Sequence, residues 1–280
     1  MLSVIIISYN TRELTAKAVR SVQTGTAGMQ TEIIVLDNGS IDNSVEYLRR
    51  RFPEIRIIES DWNLGFARAV NRAAAEATGD FLWLVNSDCS VKENTASLLF
   101  EYINKNPDVA VVTGRLLNPD GSFQGSCRHF PNYLNIMFSR GSPLSRLISR
   151  EGAYTLPDFS EPTEVDSCAF TNAMIRKAHF EEIRGLDERF FIYLEDTDIC
   201  RRLGELGYGI VYHPQAESTH LWGVSFHSNL IQRYFHHHIS VGKYFWKHYT
   251  QNKLKNALFE LGLGLWLGLR CAFAVMRGRI

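Results

Sequence analysis

Short apolar runs alternate with helical patterns over the first 115 residues. Residues 4–7 read as a buried strand and 13–22 as a helix. Residues 33–36 are the next strand, 44–51 the next helix, and 55–58 are strand-like. Residues 67–77 are helical and stopped by Gly79, 81–85 are a strand, 95–104 a helix and 109–112 a strand. Continuous β-branched and apolar strands separated by helices predict an α/β fold, a mostly parallel sheet flanked by helices. Ligands of such sheets bind beyond the carboxyl ends of the strands.

Polar clusters stand at those ends: Ser8-Tyr9-Asn10, Asp37-Asn38-Gly39-Ser40 and Asn86-Ser87-Asp88. Singly, each reads as a turn with capping residues. Three on one sheet edge read as a site. Residues 130–163 hold four of the eight prolines and little periodicity, which predicts a long loop over that site. The pattern resumes at Val165. Residues 196–206 read as a helix ended by Gly207 and 210–212 as a short strand, with His220 in the loop after it. Residues 229–250 and 252–277 read as two terminal helices.

The chain has 280 residues, 45% hydrophobic and 21% charged, with a formal net charge of zero. That is globular composition, and the absence of a basic excess argues against a nucleic-acid partner. The balance is uneven. From Arg233 onward there are eight Lys/Arg and one acid, so that this tail carries +7 and the body −7. Residues 261–276 are apolar except for Arg270, a run of 16 against the ~20 needed to span a bilayer. Flanked by Lys253, Lys255, Arg277 and Arg279, the run suits a helix lying in an anionic membrane surface. Packing on the body or in a homodimer is the alternative. Five cysteines without a CxxC pair read as reduced thiols, and the first residues lack a basic signal-peptide region, so the expected location is cytoplasmic.

The acids with chemical promise are Asp37, Asp88, Glu195, Asp196 and Asp198. A carboxylate at the second strand end can accept hydrogen bonds from a nucleotide base or ribose. One at the fourth can hold Mg²⁺ or Mn²⁺, with His220 adding an imidazole. Glu195-Asp196-Thr197-Asp198 opens a helix, where capping explains one or two acids and a general base would explain the crowding. Gly-x-Gly occurs only at 207–209 and 262–264, neither after the first strand, which counts against dehydrogenases and P-loop enzymes; no Gly-x-Ser-x-Gly elbow is present. The triplet His236-His237-His238 points in divergent directions on a helix and reads as a solvated or interfacial face.

Four segments resemble successive motifs of glycosyltransferase family 2: residues 4–10, 34–40, 63–71 (Asn63-Leu64-Gly65-Phe66-Ala67-Arg68-Ala69-Val70-Asn71) and 84–88. Residues 185–191, leading into Glu195-Asp196-Thr197-Asp198, Arg202 and Gly207-Tyr208, are similar to its acceptor-side motif. Gly114 to Ser122, with Gln124, Ser126, Arg128, Phe130 and Pro131, is most similar to the bacterial rhamnosyltransferase branch.

The resemblance implies a GT-A fold over residues 1–225, with a donor half to about 115, an acceptor half from 116, and helices from 226 to 280 that associate with membrane or dimerise. It implies an inverting transferase that uses a nucleotide sugar, dTDP-rhamnose by the subfamily, and a divalent cation. The acceptor would be a lipid-linked or cell-envelope glycan, which puts the protein on the inner face of the cell membrane. A UDP-sugar donor and a non-catalytic nucleotide-sugar-binding protein are the alternatives. Asp196 would be the base, with Glu195 beside it, and Asp88 and His220 would hold the metal. Ser8, Tyr9, Asn10, Asp37, Asn63, Gly65, Phe66, Arg68, Asn86, Ser87, Arg128 and Arg202 would bind the donor. Asn172 and Trp222 would face the acceptor. Asn86 stands where the metal motif usually has an acid, and Asn172-Ala173 where the family has Gly-Ala.

Overall fold

The computed structural model describes residues 1–137, 154–221 and 230–276. The strands are β1 (Leu2–Ser8), β2 (Thr31–Asp37), β3 (Arg56–Glu59), β4 (Phe81–Val85), β5 (Cys89–Val91), β6 (Val109–Leu117), β7 (Phe123–Gln124), β8 (Cys127–Arg128), β9 (Thr163–Glu164), β10 (Ser167–Cys168), β11 (Asn172–Arg176) and β12 (Gly209–His220). The helices are α1 (Arg12–Gly25), α2 (Ser44–Arg51), α3 (Phe66–Glu76), α4 (Thr95–Lys105), α5 (Tyr133–Met137), α6 (Lys177–Glu182), α7 (Glu195–Glu205), α8 (Leu230–His248) and α9 (Lys253–Met276).

One sheet runs in the order β3-β2-β1-β4-β11-β6-β12-β5, with β7 on β6 and β9 on β12; β8 and β10 pair separately. The pairs β3–β2, β2–β1, β1–β4 and β6–β12 are parallel. Alternation along the strands divides the core into two layers. Ile5, Ile34, Leu36, Leu82 and Leu84 face one side, under the alanines of α3 and Ile199, Cys200 and Leu203 of α7. Val4, Ile6, Val35, Trp83 and Val85 face the other, under α1 and α4. A third cluster seats α8 on the body through Phe190, Leu194, Val241, Tyr244 and Phe245, with Phe259 of α9 against it.

Three elements differ from the sequence expectation. β11 enters the sheet antiparallel between β4 and β6, so two strands of the expected parallel series are separated by a later one. Five residues, Asn172–Arg176, give too short a run to stand out as a central strand. β12 is much longer than residues 210–212. It bends between His213 and Glu217, where the register shifts, and continues to His220, which closes the strand rather than lying in a loop. The expected loop at 130–163 contains α5, and its residues 138–153 lie outside the described residues. Among the described residues no helix is long and apolar enough to cross a membrane. All five cysteines are free, four of them buried, and burial pushes the Cys89 and Cys127 thiols up to about 12.

Candidate active site

The parallel register sets Ser8 beside Asp37 at the carboxyl edge of the sheet, and β4 ends on the same edge in Asn86-Ser87-Asp88. Chain reversal there uses unusual backbone: Asn10 is left-handed, at φ 53°. Its side-chain oxygen accepts from Ile41 N at 2.9 Å, and its own N–H donates to Ser40 Oγ at 2.9 Å. These bonds clasp the loops after β1 and β2. Asp37 is buried; its Oδ2 accepts from Ser40 N at 2.9 Å, and its Oδ1 makes no hydrogen bond among the described residues. A buried carboxylate oxygen without a donor is costly in isolation and is well suited to a ligand hydroxyl or N–H.

Several of the expected donor contacts form the floor beneath this edge. Ser8 is buried and bonds Thr15 at 2.8 Å, while Thr11 Oγ1 donates to Ser87 Oγ at 3.1 Å. Asn63 accepts from Asn38 Nδ2 at 3.0 Å and from Gly65 N at 2.9 Å. Gly65 has φ +81°, and a Cβ there would fall 2.5 Å from Phe191 O, which also accepts from Phe66 N at 2.7 Å. Only glycine permits that approach. This loop locks the donor edge to the 185–194 segment. Arg68 points away and pairs with Glu188 at 3.4 Å. Tyr9 is the exposed aromatic ring at the edge. Asn86 Nδ2 donates to Thr171 Oγ1 at 3.3 Å.

Asp88 and His220 meet. His220 Nε2 lies 3.2 Å from Asp88 Oδ1, with the residues only 8% and 6% exposed. Gln124 Oε1 lies 2.6 Å from His220 Nδ1. The pair fits a divalent cation: neighbouring ligands of an octahedral ion lie ~3 Å apart when each bond is ~2.1 Å. The described residues hold no group of three or more His, Cys, Asp or Glu that could bind a metal. One carboxylate and one imidazole would leave the other positions to phosphate oxygens and water, and the imidazole favours Mn²⁺ over Mg²⁺.

Glu195 and Asp196 open α7. Tyr193 and Leu194 precede them with φ 69° and 67°, strained values for side-chain-bearing residues and a mark of functional turns. Asp196 Oδ1 accepts from Thr197 N at 2.7 Å, and Arg128 Nη1 lies 3.8 Å from Asp196 Oδ2. Burial and the charge of Asp196 raise the Glu195 carboxyl well above the usual range, and its Oε2 is buried without a hydrogen bond among the described residues. The two acids thus differ in surroundings, Glu195 buried without a hydrogen bond among the described residues and Asp196 beside the Arg128 guanidinium. Residues 124–128 link the two groups, Gln124 touching His220 and Arg128 lying beside Asp196, and the Cα atoms of 124 and 128 stand within ~14 Å of each other.

Two of the expected contact residues sit in internal hydrogen-bond networks. Asn172 is fully buried: Trp83 Nε1 donates to its Oδ1 at 2.9 Å and its Nδ2 donates to Ser218 Oγ at 2.7 Å, so it ties core strands together and reaches no acceptor surface. Arg202 donates to Asp198 and to the carbonyls of Ile183 and Gly185, at 2.8–2.9 Å, and so braces α7 against the 183–185 turn. Trp222 lies outside the described residues. Gln124 was not foreseen in the site. Pro119-Asp120-Gly121 is a turn signal that would have returned Gln124 along β6 toward His220.

Comparison with known proteins bears on family and fold. The chain is 28% identical over 202 residues to the N-acetylglucosaminyl-diphospho-decaprenol L-rhamnosyltransferase of Mycobacterium tuberculosis, covering 67% of this chain and 66% of that protein, just under two thirds of its length. It is 26% identical over 147 residues to rhamnosyltransferase WbbL of Escherichia coli K12, covering 51% of this chain and 53% of WbbL. GalNAc-T7, solved with UDP, GalNAc and Mn²⁺, shares the fold at a TM-score of 0.61 and 16% identity, covering all of this chain and 58% of that one. The family model described as glycosyl transferase family 2 matches residues 3–184, more than half of the chain. The chain that carries Asp37 and Asp88 at this sheet edge and Asp196 at the head of α7 thus belongs to glycosyl transferase family 2.

Proposed function

We propose that this chain is an inverting glycosyltransferase that moves rhamnose from dTDP-rhamnose to a lipid-linked or cell-envelope glycan. The observation that carries the reading is the pairing of Asp196 with Arg128 at the head of α7, joined through residues 124–128 to the Asp88–His220 pair. The names of the two rhamnosyltransferase relatives support the choice of sugar.

In this reading Asp37 receives the base or ribose through its free Oδ1, and Tyr9 offers a ring to stack on the base. Asp88 and His220 would hold a divalent cation, which when bound neutralises charge on the diphosphate leaving group. Asp196 takes the proton of the acceptor hydroxyl as the oxygen attacks the anomeric carbon. The sugar passes through an oxocarbenium-like state and inverts in a single displacement. Arg128, its Nη1 3.8 Å from Asp196 Oδ2, adds positive charge near the reacting centre. Glu195 stands beside Asp196, buried and with its carboxyl raised by burial and by the Asp196 charge.

The α9 face favours a membrane-bound acceptor. Leu254, Leu258, Leu261, Leu265 and Leu269 are 61–75% exposed and recur at spacings of four, three, four and four, forming one stripe opposite buried Asn256. Lys253 and Lys255 flank its start. Such a face lies stably on an anionic bilayer, which would put the protein on the inner face of the cell membrane.

Thermal stabilisation by a panel of nucleotide sugars, with and without Mn²⁺, tests the donor assignment. Saturation at 100 Kd stabilises by about 2.7 kcal/mol. A cation-dependent rise in Tm with dTDP-rhamnose is expected. A rise with UDP-sugars alone would overturn the rhamnose assignment, and no rise with any nucleotide would overturn the donor site.

A further inference from the structure

We propose that Gln124 is a positioning residue that fixes the tautomer of His220, holding Nδ1 protonated so that the Nε2 lone pair is turned to Asp88. The inference rests on the reading that Asp88 and His220 hold a divalent cation.

Gln124 is buried at 6% exposure, where the β6–β7 hairpin sets it opposite Leu116, and Leu116 pairs with Ser218 of β12. Its amide has only one workable orientation. Gln124 Nε2 donates to Asn118 Oδ1 at 2.8 Å and to the backbone carbonyl of His220 at 3.3 Å. A carbonyl only accepts, so the nitrogen must face it. Asn118 is oriented in the same way, because its Nδ2 donates to Ser122 Oγ at 2.9 Å and to the carbonyl of Phe123 at 3.5 Å. Rotating either amide by half a turn would set acceptors against acceptors. The hairpin loop is itself held by Asp120, whose Oδ1 accepts from Ser122 N at 2.9 Å and Ser122 Oγ at 2.6 Å.

With the amide fixed, Oε1 is the atom 2.6 Å from His220 Nδ1, and an amide oxygen only accepts. Nδ1 therefore carries the hydrogen. In the neutral ring the other nitrogen is then an acceptor, and it faces a carboxylate oxygen 3.2 Å away. Two acceptors aimed at each other are unfavourable alone and become cooperative around a cation. Outer partners of this kind set both ring orientation and ligand basicity, and their loss typically weakens metal binding by about 10–100-fold. A role limited to satisfying buried polar groups would instead be indifferent to which ring nitrogen carries the proton.

Two measurements test this. Nitrogen-15 NMR of the His ring in the wild-type full chain, in mildly alkaline buffer, reads the tautomer without any variant at 124; the ring is assigned by its loss in His220→Asn. The Nδ1–H form is expected, and the Nε2–H form would overturn the proposal. Mn²⁺ titration in the presence of dTDP, and separately UDP, is then compared for wild type, Gln124→Met, His220→Asn and Asp88→Asn. Gln124→Met keeps the shape and removes the acceptor. It should weaken Mn²⁺ about 10–100-fold and release the ring to the other tautomer. Unchanged Mn²⁺ affinity in folded Gln124→Met, with losses in the other two, would overturn this inference alone. Unchanged affinity in all three would overturn the cation reading itself.

Discussion

Asp37, Asp88 and Asp196 were legible because they end apolar runs or open a helix, and a parallel sheet brings such positions to one edge. The internal bonds of Asn172 and Arg202 were not legible, because a polar residue inside a motif looks the same whether it meets a ligand or the protein's own groups. The structure shows Asn172 accepting from Trp83 Nε1 at the centre of the sheet. Asn172→Ala should leave that indole N–H buried without a partner and lower stability by about 1–3 kcal/mol. Urea unfolding followed by tryptophan fluorescence checks this. A variant as stable as wild type would show that Asn172 is dispensable to the core and reopen its role at the acceptor.

At the scale of elements, α7 and α8 are joined by a buried charge cluster that sequence alone did not reveal, because its members lie 50 residues apart. Asp198 is fully buried, with Arg202 at 2.9 Å, Lys247 at 2.6 Å and His248 Nε2 donating at 2.7 Å. Burial alone would raise its carboxyl. The His248 hydrogen bond and the Arg202 and Lys247 charges outweigh burial and hold it below the ordinary aspartate value of 3.8. Asp187, bonded by Arg189 and Lys247, is lowered in the same way. Folding thus favours the charged carboxylates. Their stabilisation is present above 3.8 and is lost as pH falls below it toward the folded-state values. Tm followed from neutral pH down through 3.8 should drop on that limb, and drop less in Asp198→Asn, whose neutral stability is already reduced. An equal acid loss in both proteins would remove the cluster as its source. β11 and the far half of β12 escaped the pattern for a related reason, since the first is short and the second crosses an irregularity after His213.

Over the whole molecule, one sheet carries the edge proposed to face the nucleotide, with the proposed base on packed helix α7 and an α8–α9 hairpin attached through that same helix. The excess of tail charge was legible from composition, whereas the solvent-facing placement of the α9 leucines needed the packing of Asn256 and Phe259 to be known. Replacing Leu258, Leu261 and Leu265 together by serine should abolish sedimentation with anionic liposomes while leaving the fold intact. Unchanged sedimentation, or a change from dimer to monomer instead, would return the stripe to a protein contact. The central claim is that Asp196 is the base of a glycosyl transfer. Its most direct test is transfer of labelled sugar from dTDP-rhamnose to lipid extracts by wild type and Asp196→Asn, with donor affinity measured in parallel. The account predicts transfer by the wild type, and in the variant a loss of transfer of about 10²–10⁴-fold with donor affinity nearly unchanged. Full transfer by Asp196→Asn would contradict it.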